Sequence, residues 1–327
     1  MGVSVREAGR RLVVALDIGG TKIAAAVVDA QGRLYARLRL PAEKHDHRQS
    51  VAQVVRAARE AVSACGADSG AIEAVGAAVP GIYFTSSGEV WAPNLPGWER
   101  VPLRRILEAE LDLPAVVDSD RSACVLGEQW LGAARGFADV VFLTVGTGIG
   151  AGIITGGRLC RGAEGIAGAV GWLPLNPQEC TLYRAVGCFE AEAAGPAVAR
   201  RAQETAARTT SLMLPLAGGR TDRITAEIVA EAARQGDEPA QRVLAETGRW
   251  LGRGLAAIVS LLNPQLIVLG GGLMQAADLL LEEVRREMLL WTQPLAARSV
   301  RLELSRLGED AALLGAARLA LERDYVG

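Results

Sequence analysis

Leu12-Val-Val-Ala-Leu-Asp17-Ile-Gly-Gly-Thr-Lys22-Ile-Ala-Ala-Ala-Val-Val-Asp29 sets two apolar runs rich in branched residues on either side of a Gly-Gly-Thr-Lys turn. Runs of that composition read as strands, and the glycine pair between them reads as a hairpin turn. The pattern returns at Val140-Val-Phe-Leu-Thr-Val145-Gly-Thr-Gly-Ile-Gly-Ala-Gly-Ile-Ile-Thr155, and its exit, Gly157-Arg-Leu159, echoes Gly32-Arg-Leu34. Two copies of one supersecondary unit, about 125 residues apart, predict two related α/β halves. No low-complexity linker separates them, so the repeat itself sets the boundary, near residue 118.

Outward from the two turns, the patterning predicts a third strand over 34–40, a helix over 50–65 and a strand over 74–79. Residues 83–100 are rich in Gly, Pro and Trp and read as irregular structure. A helix over 103–111, a short strand at 115–117 and a helix over 121–134 lead to the second hairpin. Helices over 188–208, 225–235 and 239–262 follow, then a strand over 265–269 running into Gly270-Gly-Gly272. A helix, a short strand near 300–304 and a final helix over 310–322 end the pattern.

Composition narrows the function. With 327 residues, half apolar and 22% charged, the chain has ample material for packed cores and a length suited to about two domains. Thirty-five basic against 37 acidic residues leave a formal charge of −2, so nucleic acid is not an expected partner. No apolar run reaches membrane-span length, and the N-terminus lacks the core of a signal peptide, so a cytoplasmic protein is expected. Cys65, Cys124, Cys160, Cys180 and Cys188, odd in number and scattered, read as reduced thiols. Lys22 and Lys44 are the only lysines among many arginines.

Gly146-Thr-Gly148-Ile-Gly150 is not a dinucleotide fingerprint, because a strand pattern follows it where a pyrophosphate-binding helix is required. No Walker loop is present either. A single Gly/Thr hairpin is explained equally well by tight turning alone or by phosphate binding. Two copies, with Thr21 and Thr147 as hydroxyl donors, Lys22 as a compact charge and Asp17 placed to hold the water shell of Mg²⁺, point to phosphate binding.

Taken together, these residues resemble the ROK family of sugar kinases and sugar-responsive repressors, within the actin/hexokinase-like ATPase superfamily. Asp17-Ile-Gly19-Gly20-Thr21-Lys22 resembles its first phosphate motif, Gly146-Thr147-Gly148-Ile-Gly150 its second, and Asn263-Pro-Gln-Leu-Ile-Val-Leu-Gly270-Gly271-Gly272 its adenosine motif. The resemblance implies two actin-like (ribonuclease H-like) α/β domains with a cleft between them, residues 1–118 plus 306–327 forming one and 119–305 the other. It implies ATP with Mg²⁺, a small sugar-like substrate and a homodimer. About ten residues precede the first strand, too few for the helix-turn-helix of the repressors, so the kinase branch is expected.

Further site residues follow from the same resemblance. The family's catalytic Asp lies in Asn-Asp-Ala-x-Ala-Ala-x-x-Gly-Glu. The chain has Ser119-Asp120-Arg-Ser-Ala-Cys-Val-Leu-Gly127-Glu128, which assigns Asp120 as general base, with a helix cap as the competing reading. Asn94, Ser119 and Glu190 are expected to join Asp120 at the substrate. The departures matter equally. Ala169 and Trp172 stand where the family has a sugar-binding Glu and His, and Thr181, Tyr183 and Trp172 stand at positions of its zinc ligands. One aligned thiol, Cys188, with nearby Cys180, cannot make a four-ligand site, so no zinc is expected. Trp91, Trp98 and Trp172 could wall a sugar face, and His45-Asp-His47 is a metal pair without a third ligand in sequence. A sensor that has lost turnover, or a kinase of a non-hexose hydroxyl compound, is the alternative to a sugar kinase.

Overall fold

The computed structural model describes residues 11–43, 46–66 and 69–322. His45 and the residues before 11 lie outside these. The first sheet is built from β1 (Leu12–Ile18), β2 (Lys22–Asp29), β3 (Leu34–Pro41), β4 (Ile72–Val79) and β7 (Ala115–Ser119). Between them run α1 (His47–Cys65), β5 (Ile82–Phe84), β6 (Glu89–Trp91) and α2 (Leu103–Leu111). The strand order is β3-β2-β1-β4-β7. β1, β2 and β3 pair antiparallel, as hairpins must, whereas β4 and β7 join β1 parallel through helical crossovers.

Both faces of this sheet are covered, which is why its strands are apolar throughout instead of alternating. Val14, Leu16 and Ile18 of β1 pack in one cluster with Val51, Val54 and Ala58 of α1. Val13 and Ala15 pack in the other cluster, with Leu313, Ala316 and Ala317 of the last helix. Asp17 continues the odd series and so belongs to the second face.

After β7 come α3 (Asp120–Leu131), β8 (Val140–Val145), β9 (Ile149–Thr155) and β10 (Arg158–Leu159). Then follow α4 (Thr181–Val186), α5 (Cys188–Ala193), α6 (Gly195–Ala206), α7 (Met213–Leu216), α8 (Ala226–Arg234) and α9 (Glu238–Leu262). β11 (Leu266–Gly270), α10 (Ala277–Trp291), α11 (Pro294–Ser299), β12 (Arg301–Leu304) and α12 (Ala311–Leu321) complete the order. The second sheet reads β10-β9-β8-β11-β12, with β8, β11 and β12 parallel. It repeats the first sheet strand for strand, which is the duplication seen in the two hairpin sequences.

The chain divides into two units, Met1–Ala138 with Gly152–Ala167 and Ser305–Gly327, and Asp139–Ala151 with Gly168–Leu304. Helix α3, placed in the second half by the sequence repeat, groups with the first unit because it packs along α12. That crossing is close: a Cβ on Gly315 would lie 1.7 Å from the Ala123 carbonyl oxygen, so only glycine fits. Buried Glu128 ties the end of α3 to the incoming segment, accepting from Leu307 N at 3.0 Å and from the Ser305 hydroxyl at 2.5 Å.

Several local expectations are corrected. Residues 83–100, read as irregular, contain the β5–β6 hairpin. The helix expected over 121–134 stops at Leu131, where the Glu128 carboxylate takes the Ala133 N–H at 2.6 Å. The single helix expected over 188–208 breaks at Ala194-Gly195-Pro196, because proline cannot continue a helix and the Gly195 N–H is captured by the Gly146 carbonyl at 2.8 Å. No helix among the described residues is long and apolar enough to cross a membrane.

Candidate active site

In the first unit, β1 delivers Asp17 to the start of the Gly19-Gly20-Thr21 turn. Gly19 closes the turn with its N–H on the Lys22 carbonyl at 2.9 Å. Asp17 is half-buried, and burial together with the nearby Asp120 carboxylate pushes its pKa from 3.8 up to about 6, against the pull of Lys22 and Arg39. Lys22 is partly exposed and paired. Its ammonium pairs with Glu309 at 3.2 Å, and the same carboxylate holds Arg39 at 2.6 Å. Asn94 is exposed, and its carbonyl oxygen lies 3.9 Å from where a Cβ on Gly20 would sit, so the 92–98 loop runs beside the turn.

β7 hands over to α3 between Ser119 and Asp120. The structure separates two roles that the sequence left in competition there. Ser119 is the cap: its side chain accepts from Ser122 N at 3.2 Å, and it is buried. Asp120 is the first helical residue, its carboxylate accepting the Arg121 N–H at 2.8 Å. Burial raises the Asp120 pKa, and Arg121 opposes the rise. Cys124, one turn on, feels burial first and then the Asp120, Asp17 and Glu128 carboxylates, so its thiol is held well above the ordinary range and stays protonated. Asp118 is held by Arg161 at 2.6 Å and serves the framework.

In the second unit the two remaining glycine turns meet. Gly271 has φ +91°, and a Cβ there would lie 2.4 Å from the Val145 carbonyl oxygen. A Cβ on Gly146 would lie 3.7 Å from Gly272 N. Gly146, Thr147 and Gly272 line a cavity of about 460 Å³ with Thr225, Glu227 and Arg234. Arg234 is fixed in its wall by a bidentate pair with Asp278 at 2.8 and 3.0 Å. The volume suits a nucleoside-sized ligand, and the glycine turns at its edge expose backbone where phosphates would need it.

Glu190 of α5 reaches the same turn from the other side. Its Oε2 accepts the Ile149 N–H at 2.8 Å, and a Cβ on Gly148 would lie 2.8 Å from that oxygen. Burial raises the Glu190 pKa, and the Ile149 N–H partly offsets it. Gly171 packs against Glu190, so the short turn carrying Ala169 and Trp172 flanks this carboxylate. Trp172 is 57% exposed.

The expected residues thus fall into two groups. Asp17, Gly19, Gly20, Thr21, Lys22, Asn94, Ser119 and Asp120 lie in the first unit, and Gly146, Thr147, Gly148, Glu190, Gly270, Gly271 and Gly272 in the second. The aromatic wall loses Trp98, which is 1% exposed in the core of the first unit. Sequence reasoning missed Arg39, on the neighbouring strand β3, and Glu309, far along the chain just before α12, which flank Lys22. It also missed Thr225, Glu227 and Arg234, for which the helix-start pattern at Thr225 was the available signal. Among the described residues, no group of three or more His, Cys, Asp and Glu is placed to hold a metal ion.

The chain is similar to known proteins over nearly its whole length. The pattern of the ROK family matches residues 13–323. A glucokinase of Streptomyces coelicolor is 35% identical over 322 residues, covering 96% of this chain and 99% of the relative. An N-acetylmannosamine kinase of Escherichia fergusonii is 35% identical over 311 residues, covering 94% and 97%. The crystal structure of a ROK family glucokinase from Streptomyces griseus with glucose and AMPPNP superposes with a TM-score of 0.80 at 35% identity, covering 95% of this chain and 99% of that one.

Proposed function

The chain belongs to the ROK family, and from that footing we propose that it is an ATP-dependent sugar kinase, transferring the γ-phosphate of ATP to a sugar hydroxyl. The observation that carries this reading is the cavity lined by Gly146, Thr147 and Gly272 of the two glycine turns, which suits a nucleoside with its phosphates on exposed backbone. Both named relatives are sugar kinases, and the S. griseus structure holds a sugar with an ATP analogue.

In this reading Asp120 accepts the proton of the attacking hydroxyl. Its lack of a cationic partner beyond Arg121 and its position outside the cap leave the carboxylate available for that work. Thr21 and Thr147 donate to phosphate oxygens, and Lys22 exchanges its Glu309 partner for phosphate charge. The residues fit Mg²⁺: Asp17 is a hard oxygen donor beside a second carboxylate, and burial first and the Asp120 charge second raise its pKa, a cost to the ionised form that a cation would offset. When bound, Mg²⁺ would neutralise charge on the transferring phosphate. Glu190 and Asn94 hold the sugar. Ala169 and Trp172 replace hydrogen-bonding groups with a methyl and an indole, which favours acceptors presenting an apolar or flat face.

The same reading places the protein in the cytoplasm, where its free cysteines would remain reduced, and gives it no nucleic-acid partner. It makes a homodimer. Exposed Leu261, Leu289, Leu290, Trp291 and Leu295 cluster at the joined ends of α9, α10 and α11, a concentration of apolar surface suited to a second copy. Light scattering tests this, and a monomer at micromolar concentration would overturn it.

The activity is tested by ADP release with ATP and Mg²⁺ across glucose, mannose, fructose, N-acetylmannosamine, pentoses and polyols. Sugar-dependent release is expected. ATP binding by thermal shift without turnover on any acceptor would replace the kinase with a sensor.

A further inference from the structure

The family implies zinc at the segment between Trp172 and Cys188, and the residues here do not fit it. Cys180 and Cys188 are the cysteines of this stretch, both free, and Thr181 and Tyr183 occupy the intervening ligand positions. Yet something must hold the segment. α4 has no fully buried side chain, and only Tyr183 and Val186 are half-buried, so apolar packing holds it weakly. It joins α5 through Gly187 at φ +90°, a hinge that only glycine adopts without strain.

Tyr183, the one residue of α4 that reaches inward with a polar tip, supplies the connection. Its hydroxyl accepts from Asn176 Nδ2 at 2.9 Å and donates to Glu192 Oε1 on α5. Glu192 in turn pairs with Arg201 of α6 at 3.1 Å, and both side chains are nearly buried, at 13% and 11% exposure. Arg201 goes on to the fully buried Thr247 hydroxyl of α9 at 2.9 Å and to Glu246 at 3.2 Å. Loop, α4, α5, α6 and α9 are therefore linked in one chain of bonds, neutral at Asn176–Tyr183 and charge-assisted from Tyr183 onward.

We propose that this Asn176–Tyr183–Glu192–Arg201 chain is a metal-free staple that fixes α4 and the 173–187 excursion to α5, doing the positional work that zinc would otherwise do. Charge-assisted bonds are strong, the Glu192–Arg201 pair at the centre of this chain is nearly buried, and a chain whose members are all satisfied holds one geometry. Burial and the Glu192 carboxylate also push the Tyr183 hydroxyl up to about 12, so it remains a donor throughout the physiological range. If the sugar-kinase reading holds, the staple positions rather than catalyses: it keeps the excursion that begins beside Trp172 against the helix carrying Glu190.

The test uses readouts independent of turnover. Protein expressed in zinc-supplemented medium is assayed for zinc by mass spectrometry and melted with and without EDTA. Hydrogen exchange is then followed in the wild type and in Tyr183→Phe, which keeps the ring and removes the hydroxyl. Negligible zinc, an EDTA-insensitive Tm and exchange of residues 173–187 about tenfold faster in Tyr183→Phe, with α9 unchanged, are expected. Stoichiometric zinc whose removal lowers the Tm overturns the proposal, as does unaltered exchange in Tyr183→Phe. Absence of sugar-dependent ADP release bears only on the activity.

Discussion

Replacing Asp120 with Asn should separate chemistry from stability, because the helix cap is carried by Ser119. Asn keeps the shape and can still accept the Arg121 N–H, so neither the cap nor local packing is lost. What disappears is a basic carboxylate. General-base catalysis is worth about 10²–10⁴-fold, so kcat should fall by that factor, equivalent to ~3–5 kcal/mol in the barrier. Stability should move the other way. Raising Asp17 from 3.8 to about 6 costs its ionised form on the order of 3 kcal/mol, with burial the larger cause and the Asp120 charge the second. A carboxyl whose folded pKa lies above its unfolded value destabilises the fold once pH exceeds the unfolded pKa, and the penalty is complete above the folded one. Removing the Asp120 charge therefore returns a minor share of that penalty, together with the penalty burial places on Asp120's own carboxylate, at pH 7 and nothing near pH 3. The assays are ADP-release kinetics and thermal melts at pH 7 and pH 3 without Mg²⁺. A kcat within threefold of the wild type refutes the base assignment, and a lost kcat accompanied by a lower Tm at pH 7 shows a structural residue instead.

Ser119→Ala is the complementary change: losing the bond to Ser122 N should cost about 1 kcal/mol of stability, read by denaturant titration, with kcat largely retained. Gly271→Ala forces a left-handed backbone on alanine and drives its Cβ to 2.4 Å from the Val145 carbonyl oxygen, so the KM for ATP should rise well above tenfold and the Tm should fall. Asp237 is pushed up by burial, but the Ser211 hydroxyl, the Leu212 and Ala240 N–H groups and Arg242 outweigh that and hold it below 3.8. Its contribution is thus present above the unfolded pKa and lost as pH falls through the folded one, so Asp237→Asn should lower the Tm at pH 7 and converge on the wild type as pH drops below 3.8. Equal differences at both pH values would count against this assignment.

The duplicated hairpins, the order of strands and helices and the Ser119-Asp120 junction were legible in the sequence because each is a local signal. Apolar runs, a glycine turn or a polar pair before a helix act within a few residues of the chain, and these signals agree with the fold throughout both sheets. The short β5–β6 hairpin and the break at Gly195-Pro196 were less legible. Three-residue strands leave almost no period, and the proline's effect was masked by helical patterning on both sides. Only the tertiary structure decided the rest. The Lys22–Glu309 pair joins residues at opposite ends of the chain, Trp98 became core through its loop's packing, and the cavity draws its walls from four separate segments. Asp17 acquired its raised pKa from burial and from a carboxylate a hundred residues away. Propensity and periodicity act along the chain, whereas desolvation, charge coupling and cavity shape act across space, and no pattern in one segment records which distant residue will face it.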